Sequence, residues 1–260
     1  MGKKKKVSRT VLGIDIGGSG VKGAPVHTKK GELTDDRYRI PTPQPATPEA
    51  VLEVVRQIVD EHKWRGPIGC TIPGRVIRGV VRTAANIDES WEGYNARKRF
   101  KKELGVPVTV LNDADAAGIA EIRFGAGKKK GTTLVLTLGT GIGSALFTDG
   151  VLVPNTEFGH LRFDHRIAEH VAADSIRTKD HLSWERWATK RVQPVLEMYE
   201  FLFSPDTIVI GGGVSKPERW DQFGPLLKTN AKLYPAALGN QAGIVGAALV
   251  AREAVLKSRR

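Results

Sequence analysis

Apolar positions along this chain gather into short unbroken runs, most of them closed by glycine or proline. Residues 11–16 form one such run and predict a buried strand. Gly17, Gly18, Ser19 and Gly20 end it, and residues 21–27 predict a second strand returning antiparallel. A proline-rich loop (Pro41, Pro43, Pro45, Pro48) leads into a predicted helix over 48–62, with Thr47 as N-cap and Pro48 at its first position. Further runs predict strands at 67–72, ending at Pro73-Gly74, and at 106–111, with Asn112 and Asp113 at the C-terminal end. A mixed helical segment covers 91–104, and the small-residue-rich stretch 114–124 predicts a closely packing helix.

The opening pattern then recurs. A basic loop at 125–131 precedes a predicted strand at 132–138, a glycine turn at 139–143 and a returning strand at 144–147. Gly139 stands 122 residues after Gly17, so each half of the chain starts with strand, glycine turn and returning strand. A duplication at this spacing predicts two similar α/β domains facing each other across a cleft. Residues 184–203 are helix-rich, 207–210 predict a strand running into Gly211-Gly212-Gly213, and 241–256 predict a last helix with small residues early.

Charge changes this picture little. The formal net charge is +12, but Lys3, Lys4, Lys5, Lys6, Arg9, Lys257, Arg259 and Arg260 carry eight of those charges, leaving +4 for residues 10–256. The tails are expected to be solvated, and the excess supports a polyanionic partner only weakly. The clusters Lys128-Lys129-Lys130 and Arg97 to Lys102 are expected to be wet surface. The single cysteine, Cys70, can form neither an internal disulfide nor a four-cysteine zinc site, and its apolar strand predicts a buried structural thiol. No run of about 18 apolar residues and no leader with an apolar segment is present, so a cytoplasmic protein with no membrane partner is expected.

The chemistry is expected at the strand ends. In the first turn, Gly17, Gly18 and Gly20 let backbone N–H groups approach an anion, Ser19 adds a hydroxyl and Lys22 a positive charge. Asp15 could hold a magnesium ion through water. The spacing is not that of a P-loop, and no helix follows as in a dinucleotide fingerprint. Gly139, Thr140, Gly141 and Gly143 repeat the device, and Gly211, Gly212 and Gly213 follow a third strand. Three such turns point to one elongated phosphate donor. Asp113, at a strand's C-terminal end, has two open roles: accepting the proton of an attacking alcohol, or capping the next helix. Glu157 and His160, with Gly159 between them in sequence, suit paired hydrogen bonds to sugar hydroxyls or a plain surface turn. His160, His165 and His170 have no cysteine nearby, and their five-residue spacing suits neither one helix face nor a zinc knuckle, so no metal is expected there.

Together these elements resemble the ROK family of sugar kinases and repressors, within the actin-like, ribonuclease-H-like ATPase superfamily. The resemblance rests on Asp15-Ile16-Gly17-Gly18, Pro73-Gly74, Asn112-Asp113, residues 138–143, Glu157-x-Gly159-His160 and Ile210-Gly211-Gly212-Gly213, in family order over nearly the whole chain. It implies a duplicated α/β fold: a basic disordered tail over 1–9, one domain over 10–113 and a second over 114–260. The last helix, about 241–256, would pack back on the first domain. It implies Asp113 as general base and Gly74, Asn86, Asn112, Glu157, His160 and Glu169 as sugar-binding residues. The cysteine cluster that holds zinc in many members is missing from 161–175, and about ten residues before the first strand are too few for the DNA-reading module of family repressors, so no nucleic acid partner is expected.

Segments at 71–74, 80–88, 90–91, 112–118 and Ser183-Trp184-x-x-Trp187 resemble the family's polyphosphate-using glucokinases more finely. That likeness implies transfer of a terminal phosphoryl group from inorganic polyphosphate, or also from ATP, to the 6-hydroxyl of glucose, with Mg2+ as cofactor and a homodimeric habit. Lys22, Arg75, Arg78 and Arg82 are the candidate basic track for the polyanion. The alternatives are an ATP-dependent hexokinase for glucose, mannose or fructose, and a sugar-binding regulator without catalysis.

Overall fold

In the computed structural model of the chain, residues 8–84, 87–163 and 165–259 are described. They form two compact units. One runs through Ala120 and resumes at Gln241, and the other is Glu121–Asn240.

The first unit begins with β1 (Thr10–Gly17) and β2 (Gly20–His27), paired antiparallel from Thr10↔His27 to Gly17↔Gly20, so only Gly18 and Ser19 lie between them. Two short strands, β3 (Glu32–Leu33) and β4 (Tyr38–Ile40), both pair with the outer side of β2. Helix α1 (Pro48–Glu61) starts as its sequence predicts: the Ala50 N–H donates to Thr47 Oγ1, and Pro48 occupies the first turn, where no N–H is required. Its apolar stripe of Val51, Val54, Val55 and Ile58 goes into the core. Next come β5 (Ile68–Ile72), the small hairpin β6 (Val76–Ile77) and β7 (Val80–Val81), helix α2 (Ala96–Leu104), β8 (Val108–Asn112) and helix α3 (Asp113–Phe124). The main sheet has the order β3-β2-β1-β5-β8, with β5 and β8 joined in parallel to β1. Trp91 is fully buried beneath it, with its indole N–H donating to the Ala46 carbonyl at 2.8 Å and Tyr94 and Phe100 edge-on to the ring.

The second unit repeats this plan. Strands β9 (Thr132–Leu138) and β10 (Ile142–Thr148) form the hairpin, and β11 (Val151–Val153) extends it. A small pair, β12 (Arg162–Phe163) and β13 (Arg166–Ile167), leads to short helices α4 (Glu169–Ala172), α5 (Asp174–Lys179) and α6 (Trp184–Trp187), then α7 (Gln193–Phe203). Between α6 and α7 the helix widens into a π turn over Ala188–Val192. Pro194 explains this: it has no N–H for the usual bond four residues back, and its ring crowds that carbonyl. Strand β14 (Thr207–Gly211), helix α8 (Pro217–Phe223) and β15 (Lys232–Pro235) complete the unit. The sheet order is β11-β10-β9-β14-β15, with β14 and β15 parallel to β9, so each unit carries an antiparallel hairpin followed by two parallel strands. Trp187, Tyr199 and Phe223 fill its core.

The chain returns to the first unit through α9 (Ala242–Lys257), which packs on β1, β5 and β8. The division between units falls inside α3, beyond the boundary at 113 expected from sequence. The last turn of that helix belongs with the second unit: buried Glu121 accepts the N–H groups of Ala126, Ala237 and Leu238. Of the tail expected over 1–9, only residues 8 and 9 are described. Residues 1–7 lie outside the described residues, but the Arg9 carbonyl accepts both the N–H and the hydroxyl of Thr28.

Candidate active site

The first glycine turn is held by its neighbours on three strands. Asp15 on β1 and Lys22 on β2 are register partners, with Lys22 Nζ donating to Asp15 Oδ2 at 3.0 Å. The other carboxylate oxygen, Oδ1, accepts the Thr71 hydroxyl at 2.8 Å, and the Thr71 oxygen in turn accepts the Ile16 N–H at 3.0 Å. Thr71 is wholly buried in β5 and sets the rotamer of Asp15. Its signal in the sequence is a lone hydroxyl inside the otherwise apolar run of β5. The Thr42 hydroxyl donates to the Gly17 carbonyl, closing the inner side of the turn.

Asn112 ends β8 and Asp113 begins α3. Asn112 is the cap: its Oδ1 accepts the Asp115 N–H at 2.9 Å, and its Nδ2 donates to the Gly74 carbonyl at 3.1 Å. The capping role left open for Asp113 is therefore filled by its neighbour. Asp113 is half-buried in the first helical turn, with Oδ1 accepting the Ala114 N–H at 2.9 Å. Gly74 is brought to this junction by the Asn112 amide, whereas Asn86 lies outside the described residues.

In the second unit, the turn carrying Gly139, Thr140, Gly141 and Gly143 is braced from below. The Ser175 N–H donates to the Gly139 carbonyl at 3.0 Å and its hydroxyl to the Thr140 carbonyl at 2.6 Å. Glu169 Oε2 accepts the Ile142 N–H at 3.3 Å, and its Oε1 stands 3.8 Å from His160 Nε2. His160 Nδ1 lies 3.5 Å from Glu157 Oε2, so the imidazole sits between two carboxylates. Gly159 makes this possible: a Cβ there would lie 2.2 Å from the Ile142 carbonyl oxygen. The turn is fastened by the Phe158 N–H on Ser144 Oγ at 3.0 Å and by Tyr199, whose hydroxyl donates to the Phe158 carbonyl at 2.8 Å. Burial raises the Tyr199 phenol well above its ordinary value, so it stays a donor.

The third turn starts from the adjacent strand, since Gly211 pairs with Thr137. Gly212 has a φ of 88° against the Leu138 carbonyl, and the Arg219 guanidinium donates to the Gly213 carbonyl at 3.3 Å. Within the second unit the expected donor-binding glycines and the Glu157–His160–Glu169 cluster thus share one end of one sheet. Arg75, Arg78 and Arg82 are grouped on the separate β6–β7 hairpin, not on the sheet that carries the first turn. Arg39, Ser175 and Arg219 also reach the turns, and none of them carries a local motif in the sequence. Among the described residues no group of three His, Cys, Asp or Glu side chains is placed to hold a metal ion, and no helix is long and apolar enough to cross a membrane. Cys70 is buried, and desolvation pushes its thiol up to about 12, which rules it out as a nucleophile near neutrality.

The profile of the ROK family matches residues 11–173. The polyphosphate glucokinase of Mycobacterium tuberculosis is 51% identical over 240 residues, spanning 92% of this chain and 89% of that protein. The crystal structure of the inorganic polyphosphate/ATP-glucomannokinase from Arthrobacter sp. strain KM superposes with a TM-score of 0.89 at 48% identity, covering 96% of this chain and all of that one. A ROK family glucokinase from Streptomyces griseus, in complex with glucose and AMPPNP, shares the fold with a TM-score of 0.77 at 24% identity over 94% of this chain and 99% of that one.

Proposed function

The chain belongs to the ROK family, and on that footing we propose that it is a cytoplasmic polyphosphate-dependent glucokinase. The observation that carries the kinase reading is the junction of β8 and α3, where Asn112 caps the helix and Asp113 stands half-buried in its first turn. The donor is assigned from the 51% identical polyphosphate glucokinase.

The Asp113 carboxylate accepts the proton of the glucose 6-hydroxyl as that oxygen attacks the terminal phosphorus. A new O–P bond forms, the bond from that phosphorus to the bridging oxygen breaks, and the donor leaves one phosphoryl group shorter. Glu157, His160 and Glu169, grouped within the second unit, offer two carboxylates and an imidazole to hydroxyls of a sugar, and Glu169 couples them to the second glycine turn. The glycine-turn amides and Lys22 meet the charge that develops on the phosphate oxygens.

The residues fit a magnesium ion held through water. Both Asp15 oxygens already accept hydrogen bonds, and magnesium keeps several of its waters while binding few carboxylates. When bound, the ion neutralises part of the donor's phosphate charge. A homodimer belongs to the same proposal and is checked by light scattering.

The test is product formation. Purified protein with glucose, magnesium and long-chain polyphosphate should yield glucose 6-phosphate. Product with ATP and none with polyphosphate would overturn the donor assignment, and none with either would overturn the kinase reading. The relative described as a polyphosphate/ATP-glucomannokinase favours a second arm, in which ATP also serves and mannose is accepted.

A further inference from the structure

On β4 of the first unit, Arg39 is the register partner of Lys22 on β2, and Lys22 is the register partner of Asp15 on β1. Asp15, Lys22 and Arg39 therefore stand side by side across three strands, one row below the first glycine turn. Directly opposed residues hold their Cβ atoms about 4.5–5.5 Å apart, and like charges placed this way repel. Lys22 is ion-paired with Asp15 at 3.0 Å. Arg39 has no carboxylate within ion-pair distance among the described residues, and its Nη2 instead donates to the uncharged Ser19 carbonyl at 2.9 Å.

The position of this guanidinium is specified by the turn itself. A Cβ at Gly20 would lie 2.7 Å from Arg39 Nε and 2.8 Å from Nη2, so the planar group lies where a side chain at position 20 would stand. Gly20, which the sequence offers as a residue that brings backbone close to an anion, makes room for an arginine. One edge of the fork is anchored on Ser19, and Arg39 stays exposed to solvent. An uncompensated, pre-oriented guanidinium beside a turn of N–H groups is a binding group for phosphate, which it can meet with two parallel hydrogen bonds.

We propose that Arg39 binds the phosphoryl donor, acting with Lys22 as a pair of cations on the first glycine turn. This rests on the donor-binding reading of that turn and names a residue for it. The ligand chemistry is a chain of linked phosphates, common to polyphosphate and ATP. Arg39 thus joins Lys22 of the expected basic track from the outer strand next to β2, while Arg75, Arg78 and Arg82 lie on and beside a separate hairpin.

The experiment compares the unaltered protein with Arg39→Gln and Arg39→Lys. Tripolyphosphate binding is measured by calorimetry without glucose. KM for polyphosphate, for ATP and for glucose is measured by product formation, and thermal melts are recorded alongside. Loss of one charge-assisted contact should weaken tripolyphosphate binding and raise donor KM about tenfold. Glucose KM should stay within about twofold, and Arg39→Lys should recover part of the loss. Equal losses with both donors place the contact on phosphates they share, while a loss with polyphosphate alone places it farther along the chain. Unchanged tripolyphosphate binding in Arg39→Gln overturns the inference, as does a failure of the unaltered protein to bind tripolyphosphate. A lowered melting temperature with donor and glucose KM rising together also overturns it, because Arg39 would then only brace the turn. If glucose is not phosphorylated by either donor, the glucokinase reading falls, and the calorimetric arm still decides Arg39.

Discussion

The side-chain amide of Asn112 joins the Gly74 carbonyl at 3.1 Å while its oxygen caps α3 through the Asp115 N–H. One residue thus fixes both the strand-to-helix junction and the loop that follows β5. We predict that Asn112→Ala costs about 1 kcal/mol of stability through the lost cap. Asn112→Asp keeps a capping oxygen but faces the Gly74 carbonyl with a second acceptor. Its melting temperature should stay near that of the unaltered protein while glucose phosphorylation falls. Equal effects of the two substitutions on stability and on rate would contradict this division of roles.

Asp113→Asn removes the proposed base with little change of shape. Turnover should fall by about 10²–10⁴-fold, while glucose binding, measured by calorimetry or intrinsic fluorescence, stays within a few-fold. Near-normal turnover would remove Asp113 from the mechanism.

Thr71 spends its hydroxyl twice, donating to Asp15 and accepting from Ile16. Thr71→Val keeps the volume but leaves a buried N–H without an acceptor, at a cost of about 1–3 kcal/mol. It also frees the Asp15 carboxylate to turn. The predicted result is a lower melting temperature together with a higher magnesium requirement, both restored by Thr71→Ser. A Val variant with unchanged magnesium dependence would show that Thr71 serves the fold alone.

Gly159→Ala should be felt at the proposed sugar-binding cluster. Its Cβ would meet the Ile142 carbonyl at 2.2 Å, so the turn carrying Glu157 and His160 must lift away from β10. Glucose KM is expected to rise more than donor KM, as read from steady-state kinetics. A larger effect on donor KM would mean that the strain passes into the second glycine turn instead.

Cys70 gives a pH prediction. Burial raises its thiol from an ordinary 9.0 to about 12, so the folded state disfavours the thiolate. This contribution to stability is fully present below about pH 9 and is lost as pH rises from there towards 12. Cys70→Ala should flatten that part of the stability profile, cost about 1 kcal/mol near neutrality and leave catalysis intact. Ready reaction of the native thiol with an aromatic disulfide reagent would count against its burial.

Much of the fold is legible in the chain because apolar runs and glycine turns alternate so regularly. Thr47-Pro48 marks the start of α1, and the repeated strand, turn and strand at Gly17 and Gly139 announces two similar sheets. The contacts that finish the site are not legible. Asn112 and Asp113 are both good capping residues, and only the backbone decides which one is the cap. Arg39 lies on a three-residue strand whose register against β2 depends on the loop before it, so no local pattern brings it to Gly20. Glu169 reaches the second turn from a four-residue helix 27 positions after Ile142, a distance that periodicity does not bridge.

The return of α9 to the sheet of β1, β5 and β8 has a consequence for the order of synthesis. The second unit is one uninterrupted stretch, Glu121–Asn240, and can close its core before α9 leaves the ribosome. The first unit emerges earlier yet lacks the helix that covers one side of its sheet until α9 follows. The nascent protein therefore carries an open apolar surface on its earlier half, and a stop codon placed before Gln241 would strand it there.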